Sequence, residues 1–139
     1  MIILSVDSGK ARTGLAVSDK NGQFAFPRGV IKEYVAERLV EKICAEAKAA
    51  GAERIVVGHP RNMDGSYGAR AEECKALAEA IGQKSGIETV LWDERCTTVA
   101  AYTALDAAGT YGKKRKDTVD TVAAVLILES YLDFLKNQG

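Results

Sequence analysis

Acidic residues stand at the ends of three separate segments of this 139-residue chain: Asp7, the pair Asp93 and Glu94, and Asp120. Asp7 closes the apolar run 2–6, the pair closes the run 88–92, and Asp120 opens the apolar stretch that begins at Val122. A carboxylate at the C-terminal end of a buried strand is costly unless it is paired, protonated or bound to a cation. Several converging carboxylates repel one another in the absence of a metal. Hard oxygen donors drawn from separate elements suit Mg²⁺ or Mn²⁺. The competing reading makes the same acids helix caps, turn residues and surface ion-pair partners.

Glycines bracket the first acid in Asp7-Ser8-Gly9-Lys10-Ala11-Arg12-Thr13-Gly14. Such a stretch lets backbone come close to a ligand, and Arg12 carries the fork that grips a phosphate bidentately. Asp-x-Gly is also common in plain turns. Residues 58–66, Gly-His-Pro-Arg-Asn-Met-Asp-Gly-Ser, follow a buried strand and precede a helix, where ligand loops sit in α/β proteins. His59, the only histidine, has neither a cysteine partner nor a serine nucleophile signature beside it and reads first as a loop residue. Lys113, Lys114, Arg115 and Lys116 form the only dense basic run. Alone it is a solvated loop. Directly before Asp117 and Asp120, it supplies the phosphate-binding cations that a nuclease groove needs beside its metal-binding carboxylates.

The elements that must position these residues follow from periodicity. Residues 2–6 and 14–18 read as strands, 19–22 (Asp-Lys-Asn-Gly) as a hairpin turn, and 23–31 as a third strand near a sheet edge, because Pro27 interrupts it. Short turns make these strands antiparallel. Val35, Leu39, Ile43 and Ala47 recur every four residues, so 32–50 is an amphipathic helix, stopped by Gly51. Residues 54–58 form a buried strand. Ala71, Cys74, Leu77, Ala78 and Ile81 mark a second helix, 88–92 a fifth strand and 97–108 a third helix. A Gly- and Lys-rich loop then leads to a last helix, 118–135, whose apolar stretch 122–128 predicts burial on most sides. The sum is an α/β chain: a mixed five-stranded sheet, three antiparallel strands and then parallel ones, with helices on both faces.

The composition is that of one globular domain, residues 1–139, with 47% hydrophobic and 27% charged residues. Nineteen basic and nineteen acidic residues cancel, which excludes a basic tail that coats nucleic acid non-specifically but not a local patch. The longest apolar stretch falls far short of the roughly 20 residues that span a bilayer, so no membrane partner is expected. The N-terminus has no basic region ahead of its apolar run and does not read as a signal peptide. Cys44, Cys74 and Cys96 form no C-x-x-C, which excludes a zinc knuckle and a dithiol redox site and makes a reducing cytoplasm the simplest compartment.

Four ordered motifs resemble the YqgF/RuvX family of Holliday-junction-resolvase-like proteins and pre-16S ribosomal RNA nucleases. They are Asp7-x-Gly9-x-x-Arg12-x-Gly14-x-Ala16-x-Ser18-Asp19, Val57-Gly58-x-Pro60-x-x-x-Asp64-Gly65-Ser66, Asp93-Glu94-Arg95-x-Thr97-Thr98, and Lys116-x-x-Val119-Asp120-x-x-Ala123-Ala124-Val125 with Ile127-Leu128-x-x-Tyr131-Leu132. The resemblance runs from Ile3 to Leu132. Ser8 and Cys96 depart from the bulkier residues the family often has, at variable positions. The resemblance implies a ribonuclease H-like fold and two-metal phosphodiester hydrolysis, with Asp7, the Asp93–Glu94 pair and Asp120 as the catalytic acids. Within the pair Glu94 is the favoured ligand and Asp93 stays open, since neighbours on a strand face opposite ways. Asp117, outside the usual motif, is either a fourth carboxylate on the face of Asp120 or a helix N-cap.

The expectation is therefore a cytoplasmic, Mg²⁺- or Mn²⁺-dependent nuclease that processes the 5′ end of pre-16S ribosomal RNA in ribosome biogenesis. Asp7, Glu94 and Asp120 hold two ions, and Arg12, Arg95, Lys113, Lys114, Arg115 and Lys116 position phosphates. Structured RNA is favoured over a DNA junction as the partner, and the reading admits a homodimer. The alternatives are a resolvase-like DNA endonuclease, a catalytically silent nucleic-acid-binding module, and a nucleotide-binding half of the actin and sugar-kinase type, whose phosphate loop also begins Asp-x-Gly.

Overall fold

Alternation of apolar residues with small or polar ones drives the first 32 residues into a meander. β1 (Ile3–Ser8), β2 (Arg12–Ser18) and β3 (Ala25–Lys32) pair antiparallel. The computed structural model describes residues 1–9, 11–60, 67–93 and 112–138, without the side chains of 112–120 and 138. β4 (Arg54–His59) and β5 (Glu88–Asp93) then add in parallel to β1, giving the order β3-β2-β1-β4-β5. This is the mixed sheet of five strands that the periodicity predicts. β1, β4 and β5 end at one edge of the sheet, and β3, parallel to β1, ends there too.

The turns follow from local chemistry. Gly9 closes the β1–β2 hairpin, its N–H donating to the Arg12 carbonyl at 2.8 Å. A Cβ at Gly9 would lie 2.5 Å from that oxygen, so only glycine fits without a shift. This glycine serves the hairpin itself, where the sequence suggested close approach to a ligand. At the next turn the Asp19 carboxylate accepts from the Gln23 and Phe24 amides at 2.7 and 3.0 Å. Those bonds hold its carboxyl below the usual carboxylate range. Pro27 is tolerated because β3 is an edge strand, and the register slips where Leu15 pairs Gly29 and Ala16 pairs Pro27.

Helices cover both faces. α1 (Ala36–Ala50) and α2 (Ala69–Ser85) bury Leu39, Ile43, Leu77 and Ile81 against Leu4, Val6, Leu15, Ile55 and Val57. α3 (Gly112–Gln138) buries Ala124, Ile127, Leu128 and Tyr131 against Ile3, Ala16 and Val56 on the opposite face. Each large aliphatic side chain buried here contributes about 1.5–3 kcal/mol. Gly51, left-handed at φ 72°, ends α1 as expected.

Three element starts and one burial pattern differ from the sequence expectation in ways that bear on the site. β2 starts at Arg12 and not at Gly14, so Arg12 is a strand residue. α1 starts at Ala36, four residues after the expected start, because Lys32 continues the ladder opposite Arg12 and the Glu33 amide donates to Ala11 at 3.0 Å. α3 starts at Gly112, so Lys113, Lys114, Arg115 and Lys116 lie in a helix and not in a loop. No glycine or proline interrupts the chain between Gly112 and the end of the helix, and Lys and Arg are good helix formers. Asp117 therefore lies inside the helix, which removes its N-cap reading. Finally, α3 is buried on one side: Val122, Val125 and Leu126 stay half-buried while Ala124, Ile127 and Leu128 are sealed. The helix expected over 97–108 lies outside the described residues.

Candidate active site

Side chains alternate across β1: Ile3 belongs to the core under α3, Leu4 and Val6 to the core under α1 and α2. Ser5 is buried on the α3 side, and its hydroxyl donates to the Ala124 carbonyl at 2.7 Å. The small side chain lets the helix lie directly on the strand. Asp7, next on that face, stands at the strand's C-terminal end and is half-buried.

The direction of α3 follows from its side-chain contacts. The Tyr131 hydroxyl accepts from Arg54 at 3.0 Å, and Arg54 pairs with Ile3 at the start of the parallel strands. Ala124 lies over Ser5, two residues further along β1. α3 thus runs opposite to β1, and the backbone of Asp120, one turn before Ala124, continues towards the end of β1 that carries Asp7. Burial of Ala124, Ile127 and Leu128 on an antiparallel helix carries the backbone at position 120 towards the edge of the sheet where Asp7 stands.

Glycines take the places on either side of Asp7. Gly14 is its direct partner in β2, and Gly58, one residue past the Val6–Val57 rung, takes the corresponding position in β4. Both are buried and neither presents a side chain on the α3 face. The strands on either side of the carboxylate contribute only backbone at this level of the face, and its hard oxygens are the donors that Mg²⁺ and Mn²⁺ prefer.

β5 separates the two members of its acidic pair. Val90 and Trp92 pack in the core under α3, whereas Leu91 packs in the core under α1 and α2. By the same alternation exposed Asp93 falls on the α1–α2 face, opposite to Asp7. It pairs in register with His59. Glu94 and Arg95 lie outside the described residues. Among the described residues no group of three or more His, Cys, Asp and Glu side chains gathers as a metal site.

Cations flank the same edge. Arg12 occupies the Asp7 face of β2, two residues from Gly14, and stands directly opposite exposed Lys32 of β3. Two like charges across a ladder are unfavourable to each other and favour an anion close by. Sequence reasoning misses Lys32 because periodicity carries it into the helix 32–50; the hairpin register alone places it beside Arg12. The basic run 113–116 occupies the first turn of α3, beyond the level of Asp120, and that turn holds no acidic residue. Positive charge at the positive end of a helix dipole is unfavourable, and a polyanion relieves it. The chain carries no helix, among the described residues, long and apolar enough to cross a membrane.

This arrangement, a five-stranded mixed sheet with an acid at the end of its central strand and a helix crossing that strand's face, defines a ribonuclease H-like domain. The same fold recurs in Thermus thermophilus RuvC solved in complex with a Holliday junction substrate, with a TM-score of 0.62 and 14% identity over 98% of this chain and 96% of that one. The chain belongs to the RuvX family, described as Holliday junction resolvase, which matches residues 1–134. A relative from Agathobacter rectalis is 37% identical over 99% of this chain and 98% of its own length. One from Listeria monocytogenes is 40% identical over 96% and 98%. Both bear the provisional name pre-16S rRNA nuclease.

Proposed function

We propose that the chain is a divalent-metal-dependent nuclease that hydrolyses phosphodiester bonds of structured RNA and processes the 5′ end of pre-16S ribosomal RNA. The observation that carries this reading is the placement of Asp7 at the glycine-flanked end of β1, on the face crossed by α3. The RuvX family membership and the names of the two relatives support it. Asp7, Glu94 and Asp120 are the residues that would hold the metal, and Asp117 adds a further carboxylate one turn before Asp120. Asp93 is left out of that set because it faces the other side of the sheet. Bound there, divalent ions supply an activated water and stabilise charge on the leaving oxygen.

The chain's own groups do the rest. Arg12 and Lys32 hold a substrate phosphate on the Asp7 side of the sheet, Arg12 by its two-pronged fork. The cations at the start of α3, with Arg95, contact further phosphates of the backbone. Such contacts position any sequence alike, so the specificity comes from substrate shape. The reading includes a single domain working in the cytoplasm, alone or as a homodimer.

A DNA junction is the second reading, favoured by the junction bound to the RuvC neighbour. Purified protein with Mn²⁺ or Mg²⁺ is offered pre-16S RNA and a four-way DNA junction side by side, and the cleavage ends are mapped. Cuts at the 5′ end of the RNA are expected. Cleavage of the junction alone would overturn the RNA assignment, and cleavage of neither would overturn the nuclease reading.

A further inference from the structure

We propose that Tyr67, stacked on His59, is a seat for one unpaired nucleobase of the substrate, beside the strand ends that carry Asp7. The inference rests on the nucleic-acid reading above and names the feature of the substrate that this part of the site recognises. His59 is the last residue of β4, and Tyr67 stands just before α2. Their rings lie face to face, 4.7 Å between centroids and 19° between planes. Tyr67 is nonetheless 50% exposed. The histidine ring holds the phenol in one orientation before any ligand arrives, so a base that stacks on it has little side-chain entropy left to remove.

The stack sits at the strand ends where Asp7 stands, with His59, in register with Asp93, on the α1–α2 face and Asp7 on the α3 face. The Arg70 guanidinium, in the first turn of α2, donates to the carbonyl of Ser8, the residue after Asp7. Tyr67 precedes Arg70 by three residues, so their Cα atoms are at most about 10 Å apart. A strand with one base on Tyr67 would run past the same strand ends that carry Asp7.

The other aromatics do not offer this. Trp92, Tyr131 and Phe134 pack on one another, and Trp92 and Tyr131 are hydrogen-bonded to Ser130 and Arg54. Phe24 and Phe26 are exposed near the start of β3, at the far edge of the sheet from Asp7. Tyr34 is exposed nearer that end of the sheet, but among the described residues no second ring holds it. A single π-face accepts every base and rejects one locked in a duplex. The seat therefore reads whether a nucleotide is unpaired, not which nucleotide it is.

The test places 2-aminopurine at successive positions of a single-stranded flank on a hairpin, as RNA and as DNA of one sequence, and follows its fluorescence in Ca²⁺. The wild type should quench the probe at one position. Tyr67→Ala should lose that quench and weaken binding about 5- to 150-fold, while Tyr67→Phe restores both. A blunt duplex of equal length should bind the wild type and Tyr67→Ala alike, and the comparison of RNA with DNA shows which strand chemistry the seat prefers. Equal affinity of the wild type and Tyr67→Ala for the flanked hairpin would overturn the proposal, as would an equal loss on the blunt duplex. The quench is read without turnover. A protein that seats the base yet cleaves nothing in Mn²⁺ would overturn the nuclease reading alone, and one that cleaves without any quench would overturn the seat alone.

Discussion

Asp7 and Gly14 stand directly opposite one another across β1 and β2, on the face of the sheet that α3 crosses. The carboxylate thus has backbone and no side chain as its neighbour on that rung. Its ladder partner contributes neither charge nor side chain at this position.

Asp7→Asn is expected to leave the melting temperature in EDTA unchanged or raised, since it removes charge from an edge shared with Asp120. Mn²⁺ at ten times its dissociation constant should stabilise the wild type by about 1.4 kcal/mol, a shift of a few degrees. The Asn variant should lose most of that gain, and Asp120→Asn and Glu94→Gln should behave alike. All three should abolish cleavage while binding in Ca²⁺ persists. A Mn²⁺ shift that survives Asp7→Asn, measured by calorimetry, would remove Asp7 from the metal site.

Replacing Lys113, Lys114, Arg115 and Lys116 with alanine should weaken binding to all sequences alike. Alanine is the best helix former, and the substitutions remove positive charge from the positive end of α3. Stability should therefore hold or rise as affinity falls. Removing one cation that neutralises a phosphate lowers the slope of log affinity against log salt by roughly 0.7 to 0.9. Lys32→Ala should lower it by about one such step. Titrations between low and moderate salt read both, and an unchanged slope would make these residues solvated bystanders.

Gly9→Ala should destabilise the fold by about 1–3 kcal/mol, the usual cost of forcing an atom into filled space. The added Cβ would meet the Arg12 carbonyl at 2.5 Å, and that oxygen is fixed by the hairpin bond from Gly9 itself. Urea unfolding measures the destabilisation. Because Arg12 shares the displaced backbone, nucleic-acid affinity should fall with it.

Acid should weaken the fold through two carboxylates outside the site. Backbone amides of Phe24 and Gln23 hold Asp19 below the ordinary carboxylate range. The hydrogen bond from Lys42, together with the Val35 amide, does the same for Glu33. A group whose folded pKa is depressed contributes its full stability above the ordinary carboxylate range. That contribution is lost as pH falls through the folded value. Melting temperatures followed from neutral to strongly acidic pH should decline less steeply in Asp19→Asn and Glu33→Gln than in the wild type.

Much of this protein is legible in its sequence. The class of the sheet, the edge position of β3, the stop at Gly51 and the acid at the end of β1 are local consequences of periodicity, proline, glycine and charge. Family membership is legible too, because its motifs are short and ordered along the chain. Helix starts are less legible. Lys32 and Lys113 are good helix formers, but one is held in a strand by Arg12 across the ladder and the other is carried into α3 by a helix without breakers.

Only the tertiary structure decided that Asp7 and Asp93 lie on opposite faces of the sheet. Sequence distance says nothing of the contact between Ser5 and Ala124, 119 residues apart, that lays α3 antiparallel on β1. The strand alternation that assigns Asp7 to the α3 face assigns Asp93 to the other, and the packing of Leu91 and Trp92 on opposite cores shows it. The stack of Tyr67 on His59 was equally invisible, since neither residue belongs to a periodic pattern. Periodicity reports which side of an element is buried; which elements meet is decided by close packing between segments far apart in the chain.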